Sequence, residues 1–256
     1  GVSWWWTWWW CGDGGLVWIK DRTNSNSHAL FDTERGALKL LNTNNTNVEF
    51  DYGSSFNLTY NSNGFNVGGG SWIGASGNDY ASWTFKKEPS FFDVVTWTGA
   101  NFGGGRQISH NLGSVPGTII IKRTSAASAW YTWHRSTPNS YYTLDSTDAG
   151  ATSSTQYYFG DGSVVVAPTA TEFTTQTMNE NGFTYVAYLF AHDDAADGLI
   201  QCGSYTGNGS TDGPEIDLGW QPQWLLIKGT SGGNDWNLLD NKRGTINKHL
   251  YANDSA

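Results

Sequence analysis

Val17-Trp18-Ile19-Lys20, Ile119-Ile120-Ile121-Lys122 and Leu225-Leu226-Ile227-Lys228 are three versions of one short apolar run closed by a lysine. The lysines stand 102 and 106 residues apart, and other landmarks recur around them at nearly fixed offsets. Pro116 and Pro222 precede the second and third lysines, each just after a Leu-Gly pair, Leu112-Gly113 and Leu218-Gly219. Twelve residues past the lysines come Asp32, His134 and Asp240, followed by Arg35, Arg135 and Arg243 and then by Leu41, Leu144 and Leu250. The closing landmark DYASWTF, Asp79 to Phe85, is answered by TYVAYLF, Thr184 to Phe190. Self-similarity at a long fixed period reads as tandem copies of one unit.

The copies divide the chain into 16–88, which lacks its opening part, 89–195, which is complete, and 196–256, which is truncated. The chain is therefore expected to be a piece of a longer polypeptide. Residues 1–15 stand outside the pattern, because Ser3 to Cys11 reads SWWWTWWWC. Tryptophan joins an apolar body to a polar N–H, so this run reads as a membrane-interface or glycan-stacking belt. It is too short to span a bilayer, which takes roughly 20 apolar residues. The alternative is that the run does not reproduce the natural sequence.

Local patterning is β throughout. Phe91 to Trp97, Thr118 to Lys122, Ala129 to His134, Phe183 to Phe190 and Trp224 to Lys228 are short, rich in β-branched and aromatic residues, and bounded by Gly, Asn, Ser or Pro. Helical periodicity is nearly absent. The expected fold is all-β: tandem antiparallel β-sandwich repeats of about 105 residues, jelly-roll or lectin-like, with almost no helix.

A hairpin register follows if the turn after each lysine is centred six residues on, at Asn26, Ser128 or Asn234. Lys20 then lies opposite Asp32 and Lys228 opposite Asp240, each a cross-strand ion pair, while His134 deprives Lys122 of such a partner. Because alternate residues share a face, Ile19 is expected on the side of Phe31, Ile121 on that of Trp133 and Ile227 on that of Leu239. Trp130 and Trp236 recur eight residues after their lysines, with His28 at that offset in the first copy. Recurrence argues for packing, since every unit must close its own core.

The net charge of −9 offers no footing for a phosphate backbone, so nucleic acid is not an expected partner. Thirty-nine aromatic residues (15 Trp, 12 Tyr, 12 Phe) supply a large core and argue against disorder. No stretch is long enough for a transmembrane helix, and no membrane insertion is expected. Cys11 and Cys202 occupy non-equivalent places and suggest no disulfide frame. The five histidines show no metal-ligand spacing, and no catalytic, metal or cofactor site is assigned. The acidic pairs Asp193-Asp194 and Asp145/Asp148 would serve glycoside hydrolysis only at a suitable separation. A calcium site at Asp161, or among Asp193, Asp194 and Asp197, competes with the simpler reading of solvated turns. Two loop aromatics, Trp72 among glycines and Phe102 in ANFGGGR, are candidates for stacking on a ligand such as a sugar; the competing reading is that they cover the edges of small cores.

The order FDVVTWTG, ISHNLGSVPGTIIIKRT, WYTWHRS, LDSTDA and GFTYVAYLFA resembles the repeated module of unknown function found in virion and tail proteins of tailed bacteriophages, especially phages of marine bacteria. The likeness covers most of 16–256, and the tryptophan run departs from it. It implies a non-enzymatic structural component of the virion, such as a tail fibre, spike or other appendage contributing to host attachment. Other virion proteins and further copies of the chain are the implied partners, in a particle assembled in the host cytoplasm. A carbohydrate-binding module recognising a bacterial surface glycan is the alternative, and a polysaccharide-degrading enzyme a more distant third.

Overall fold

A computed structural model describes residues 14–53, 58–68, 72–100, 103–195, 197–244 and 249–255. The tryptophan run, Cys11 and Phe102 lie outside the described residues. The strands are β1 (Gly15–Asp21), β2 (Ala29–Asp32), β3 (Gly36–Leu41), β4 (Phe50–Asp51), β5 (Leu58–Asn61), β6 (Gly64–Val67) and β7 (Tyr80–Lys86) in the first stretch. The second holds β8 (Phe92–Thr98), β9 (Arg106–Ser109), β10 (Pro116–Arg123), β11 (Tyr131–His134), β12 (Tyr141–Thr143), β13 (Glu172–Thr175) and β14 (Thr184–Ala191). The third holds β15 (Trp224–Lys228), β16 (Trp236–Asp240) and β17 (Leu250–Tyr251). Helix among the described residues is limited to one turn at Thr155–Tyr158 and a 3-10 turn at Thr177–Asn179. The fold is all-β, with antiparallel pairing throughout the named strands, as the patterning predicts.

Three sheets carry the lysine strands in matching places. Their orders are β4-β3-β2-β1-β7, β12-β11-β10-β14-β8 and β15-β16-β17, and two-stranded ribbons β9-β13 and β5-β6 accompany them. In the first two sheets the lysine strand has a hairpin partner on one side and the closing aromatic strand on the other. Alternation along the strands feeds two apolar layers at once. Leu16, Trp18, Ile120, Val186, Tyr188 and Phe190 face a central core, which Trp236 and Leu238 of the third sheet also enter. Val17, Ile19 and Phe31 point to a second cluster that includes Leu58 and Ile73, while Ile119, Ile121 and Trp133 point to a third that includes Ile108 and Phe173. The central layer is thus common to all three sheets, where each copy was expected to close its own core.

The hairpin register differs from the expected one. Asp32 lies opposite Leu16, His134 opposite Thr118 and Asp240 opposite Trp224, four residues before each lysine. Lys228 lies opposite Trp236, so neither the Lys20–Asp32 nor the Lys228–Asp240 pairing forms. The turn sits two residues nearer the lysine than assumed, and Asp21 fixes it in the first hairpin. Its carboxylate accepts the Thr23 and Asn24 backbone N–H groups and the Asn24 and Asn26 side-chain amides at 2.7–3.2 Å. A displacement of four preserves parity, so the face assignments survive it. Ile19 shares its apolar cluster with Phe31, and Ile121 shares another with Trp133. Ile227 and Leu239 have matching parity, but both are only half-buried.

Candidate functional site

The three lysines act alike, though not as cross-strand ion partners. Lys122 donates to the carbonyl of Ser128 in its own hairpin loop and to that of Thr46, 76 residues earlier, at 3.0 Å. Lys228 donates to the Asn234 carbonyl of its own loop and to that of Thr147 at 2.8 Å. Lys20 donates to the Asp21 carbonyl at 2.7 Å and to that of Ser255 at 3.0 Å. The second stretch is thus clasped to the first, the third to the second, and the first to the third, which closes a ring.

The residue eight positions past each lysine repeats the same cycle. Trp130 Nε1 donates to the Asn42 carbonyl at 2.9 Å, and Trp236 Nε1 to the Thr143 carbonyl at 2.9 Å. His28 Nε2 lies 2.9 Å from the Tyr251 carbonyl. Its other nitrogen, Nδ1, receives the Trp18 indole N–H at 2.8 Å. An indole only donates, so Nδ1 is the acceptor and the ring is the neutral tautomer with its proton on Nε2. A side-chain oxygen orients each ring by accepting its residue's backbone N–H: Asn44 for His28, Asp145 for Trp130 and Asn253 for Trp236. Lys122 and Lys228 also lie over the rings of Trp130 and Trp236, 5.7 and 5.8 Å from the centroids.

Burial sets the electrostatics of these seams. It pushes Lys122 down to about 8 and lowers Lys20 and Lys228 as well. His28 falls to about 3, through burial and then through the nearby Lys20 charge. A third set of contacts joins the closing strands to the acids. The Tyr188 hydroxyl donates to Asp32 Oδ2 at 2.8 Å, and Trp83 Nε1 donates to Asp240 Oδ2 at 3.1 Å. Each acid also holds an arginine three residues on: Arg35 to Asp32 at 2.6 Å and Arg243 to Asp240 at 2.5 Å. Arg35 further reaches Glu49 at 3.0 Å and Tyr188 Oη at 3.2 Å, which makes a buried network across the first two sheets.

The three lysines, with His28, Trp130 and Trp236, thus hold distant backbone. The recurring lysines, acids and tryptophans were legible in the sequence, and their sequence-distant acceptors were not. Nothing local marks the carbonyls of Thr46, Thr147 and Ser255, Glu49 gave no signal beyond residue type, and Tyr188 stood in the closing landmark without revealing its polar partners. Of the two loop aromatics, Trp72 is half-buried against the second apolar cluster and donates to the Tyr52 hydroxyl at 3.1 Å, as a core-edge residue does. Asp161 accepts the Ser163 and Val164 N–H groups, and Asp193 that of Ala195, which are turn-capping roles. Among the described residues no group of three His, Cys, Asp or Glu side chains is placed to hold a metal ion. Cys202 is a free thiol pushed up to about 12 by burial.

One aromatic surface was not anticipated. Tyr131 and Tyr158 stack at 3.8 Å between centroids with 17° between planes, and Tyr141 joins Tyr158 at 4.8 Å. All three are half-buried on the outer side of the second sheet. A family model described as a domain of unknown function (DUF7483) matches residues 12–256. No curated protein and no solved structure matches the chain.

Proposed function

We propose, from the premise that this chain belongs to the family described as a domain of unknown function (DUF7483), that it is a non-enzymatic structural component of a bacteriophage virion: a tail fibre, spike or other appendage that contributes to host attachment. The observation that carries this reading is the ring of clasps at buried Lys20 and Lys122 and half-buried Lys228, which commits their ammonium groups to carbonyls of distant segments. Such an arrangement serves shape retention, since a charge-assisted bond is roughly twice as strong as a neutral one and fixes the segments it joins. The sequence resemblance to phage virion modules supplies the setting. Purified virions of a phage encoding the chain test it. The chain should co-sediment with infectious particles at a fixed copy number, and antibody against it should decorate an appendage. Recovery only from particle-free lysate would refute the proposal.

Binding of a bacterial surface glycan is a second reading, favoured by the half-buried Tyr131–Tyr158–Tyr141 cluster, which gathers three aromatic rings and their phenolic hydroxyls in one place. Glycan-array binding that Tyr158→Ala removes, with unfolding unchanged, would support it. Absence of binding by the wild-type chain would leave the architectural role alone.

A further inference from the structure

We propose that Tyr131 and Tyr158 form an oxidative cross-linking site, at which a peroxide-class oxidant couples the two rings carbon to carbon and staples β11 to the turn at Thr155–Tyr158. This inference rests on neither reading above.

Strand register brings the rings together. Tyr131 lies opposite Thr143 and Tyr141 opposite Trp133, so the two tyrosines are diagonal neighbours on one face of the β11-β12 pair. The turn that carries Tyr158 is tied to the same pair. Tyr141 and Ala151 exchange backbone hydrogen bonds at 2.9 Å, and the Thr155 hydroxyl donates to the Asn139 carbonyl at 2.9 Å. A further bond at 3.0 Å, from the Gln176 N–H to the Tyr157 carbonyl, holds the turn from its other side. Tyr131 and Tyr158 consequently lie face to face, 3.8 Å between centroids and 17° between planes, although they stand 27 residues apart in the chain. Tyr141 meets them less squarely, at 57° to each ring. Among the described residues, the other ring pairs that include a tyrosine set it against Phe, Trp or His.

This is the arrangement that radical coupling of phenols needs. Each phenol gives up one electron and its O–H proton to the oxidant. The two phenoxyl radicals join across the stack, ortho carbon to ortho carbon. The hydrogen on each joined carbon then moves as a proton to that ring's own oxygen, which restores both aromatic systems. The pair loses two hydrogens in all, and the O–O bond of the peroxide, taking up two electrons and two protons, becomes two O–H groups. Holding the partners in contact beforehand turns a bimolecular encounter into an intramolecular step. The faces of Tyr131 and Tyr158 cover one another, which keeps a second chain's ring away, whereas Tyr157 and Tyr205 are 40 and 52 % exposed and open to coupling between chains.

The test uses the whole chain in dilute solution, with peroxodisulfate and light-activated ruthenium tris-bipyridyl as the oxidant, followed by peptide mass spectrometry and dityrosine fluorescence. A monomeric product lighter by two hydrogens is expected, with Tyr131 joined to Tyr158. Its yield should fall by about tenfold or more in the urea-unfolded chain, where the stack is absent. Tyr158→Phe keeps the stacked ring and should abolish this product, while Tyr157→Phe and Tyr205→Phe should leave it unchanged. Equal yields from folded and unfolded chain would overturn the proposal. So would products joined mainly through Tyr157, Tyr205 or Tyr141, or oxidation that consumes tyrosine and gives no join within the chain.

Discussion

Replacing Lys122 by methionine keeps the aliphatic stem and removes the ammonium group that joins Thr46 to Ser128. At neutral pH two effects oppose each other. Two carbonyls lose a donor, at about 1–3 kcal/mol each, and a buried charge is relieved of its desolvation cost. A net destabilisation of about 1–3 kcal/mol is expected. The pH dependence is the sharper signature. Lys122 has its folded pKa depressed to about 8 from 10.5, so the unfolded chain binds more protons between those values. Stability from this group therefore rises with pH across that window and is flat below it. A separation of about 2.5 units corresponds to about 3 kcal/mol. Urea unfolding followed by tryptophan fluorescence, on wild type and Lys122→Met in parallel, isolates the contribution, because groups common to both chains cancel in the difference. The gap between the two chains should widen by about 3 kcal/mol from pH 8 to pH 10.5. Parallel curves would show that the ammonium is not held in a desolvated seam, and the clasp argument would fail.

Other expectations concern the same seams. His28 has its pKa lowered from 6.5 to about 3, so its contribution to stability is complete above the upper value and is lost as pH falls toward the lower. His28→Gln should flatten acid unfolding relative to wild type by about 4 kcal/mol; equal acid sensitivity of the two chains would contradict the neutral tautomer. Tyr188→Phe should cost about 1–3 kcal/mol by leaving Asp32 short of a donor, and a double-mutant cycle with Asp32→Asn should show coupling, whereas additive effects would dissolve the network. Gly99→Ala should destabilise by about 1–3 kcal/mol or more, because an added Cβ would stand 2.0 Å from the Glu180 carbonyl oxygen. A thermal midpoint equal to that of wild type would show that the strand ends there shift freely.

Much of the fold was legible because its signals are local. Period-two alternation and β-branched or aromatic runs marked the strands, and the lysine-centred landmarks identified which strands correspond. Face assignments held at Ile19 with Phe31 and Ile121 with Trp133, since parity is insensitive to an even displacement. Register did not, because hairpin turns of similar length differ in energy by contacts such as those of Asp21, which spacing does not reveal. The candidate site was legible in its donors and hidden in its acceptors. Lysine, histidine and tryptophan announce themselves by type, whereas a carbonyl is present in every residue.

By itself, then, the sequence determined that this chain forms antiparallel sheets, which side chains share a face, and that three lysines occupy comparable positions. Only the tertiary structure decided what those lysines hold, because each reaches a carbonyl far away in the chain, as far as Ser255 from Lys20. It also decided that the sheets share one central layer, with Trp18, Ile120 and Leu238 in common contact with it. The physical reason is the same in both cases. A periodic pattern specifies that a face will be buried, but what buries it is settled by how whole sheets close on one another.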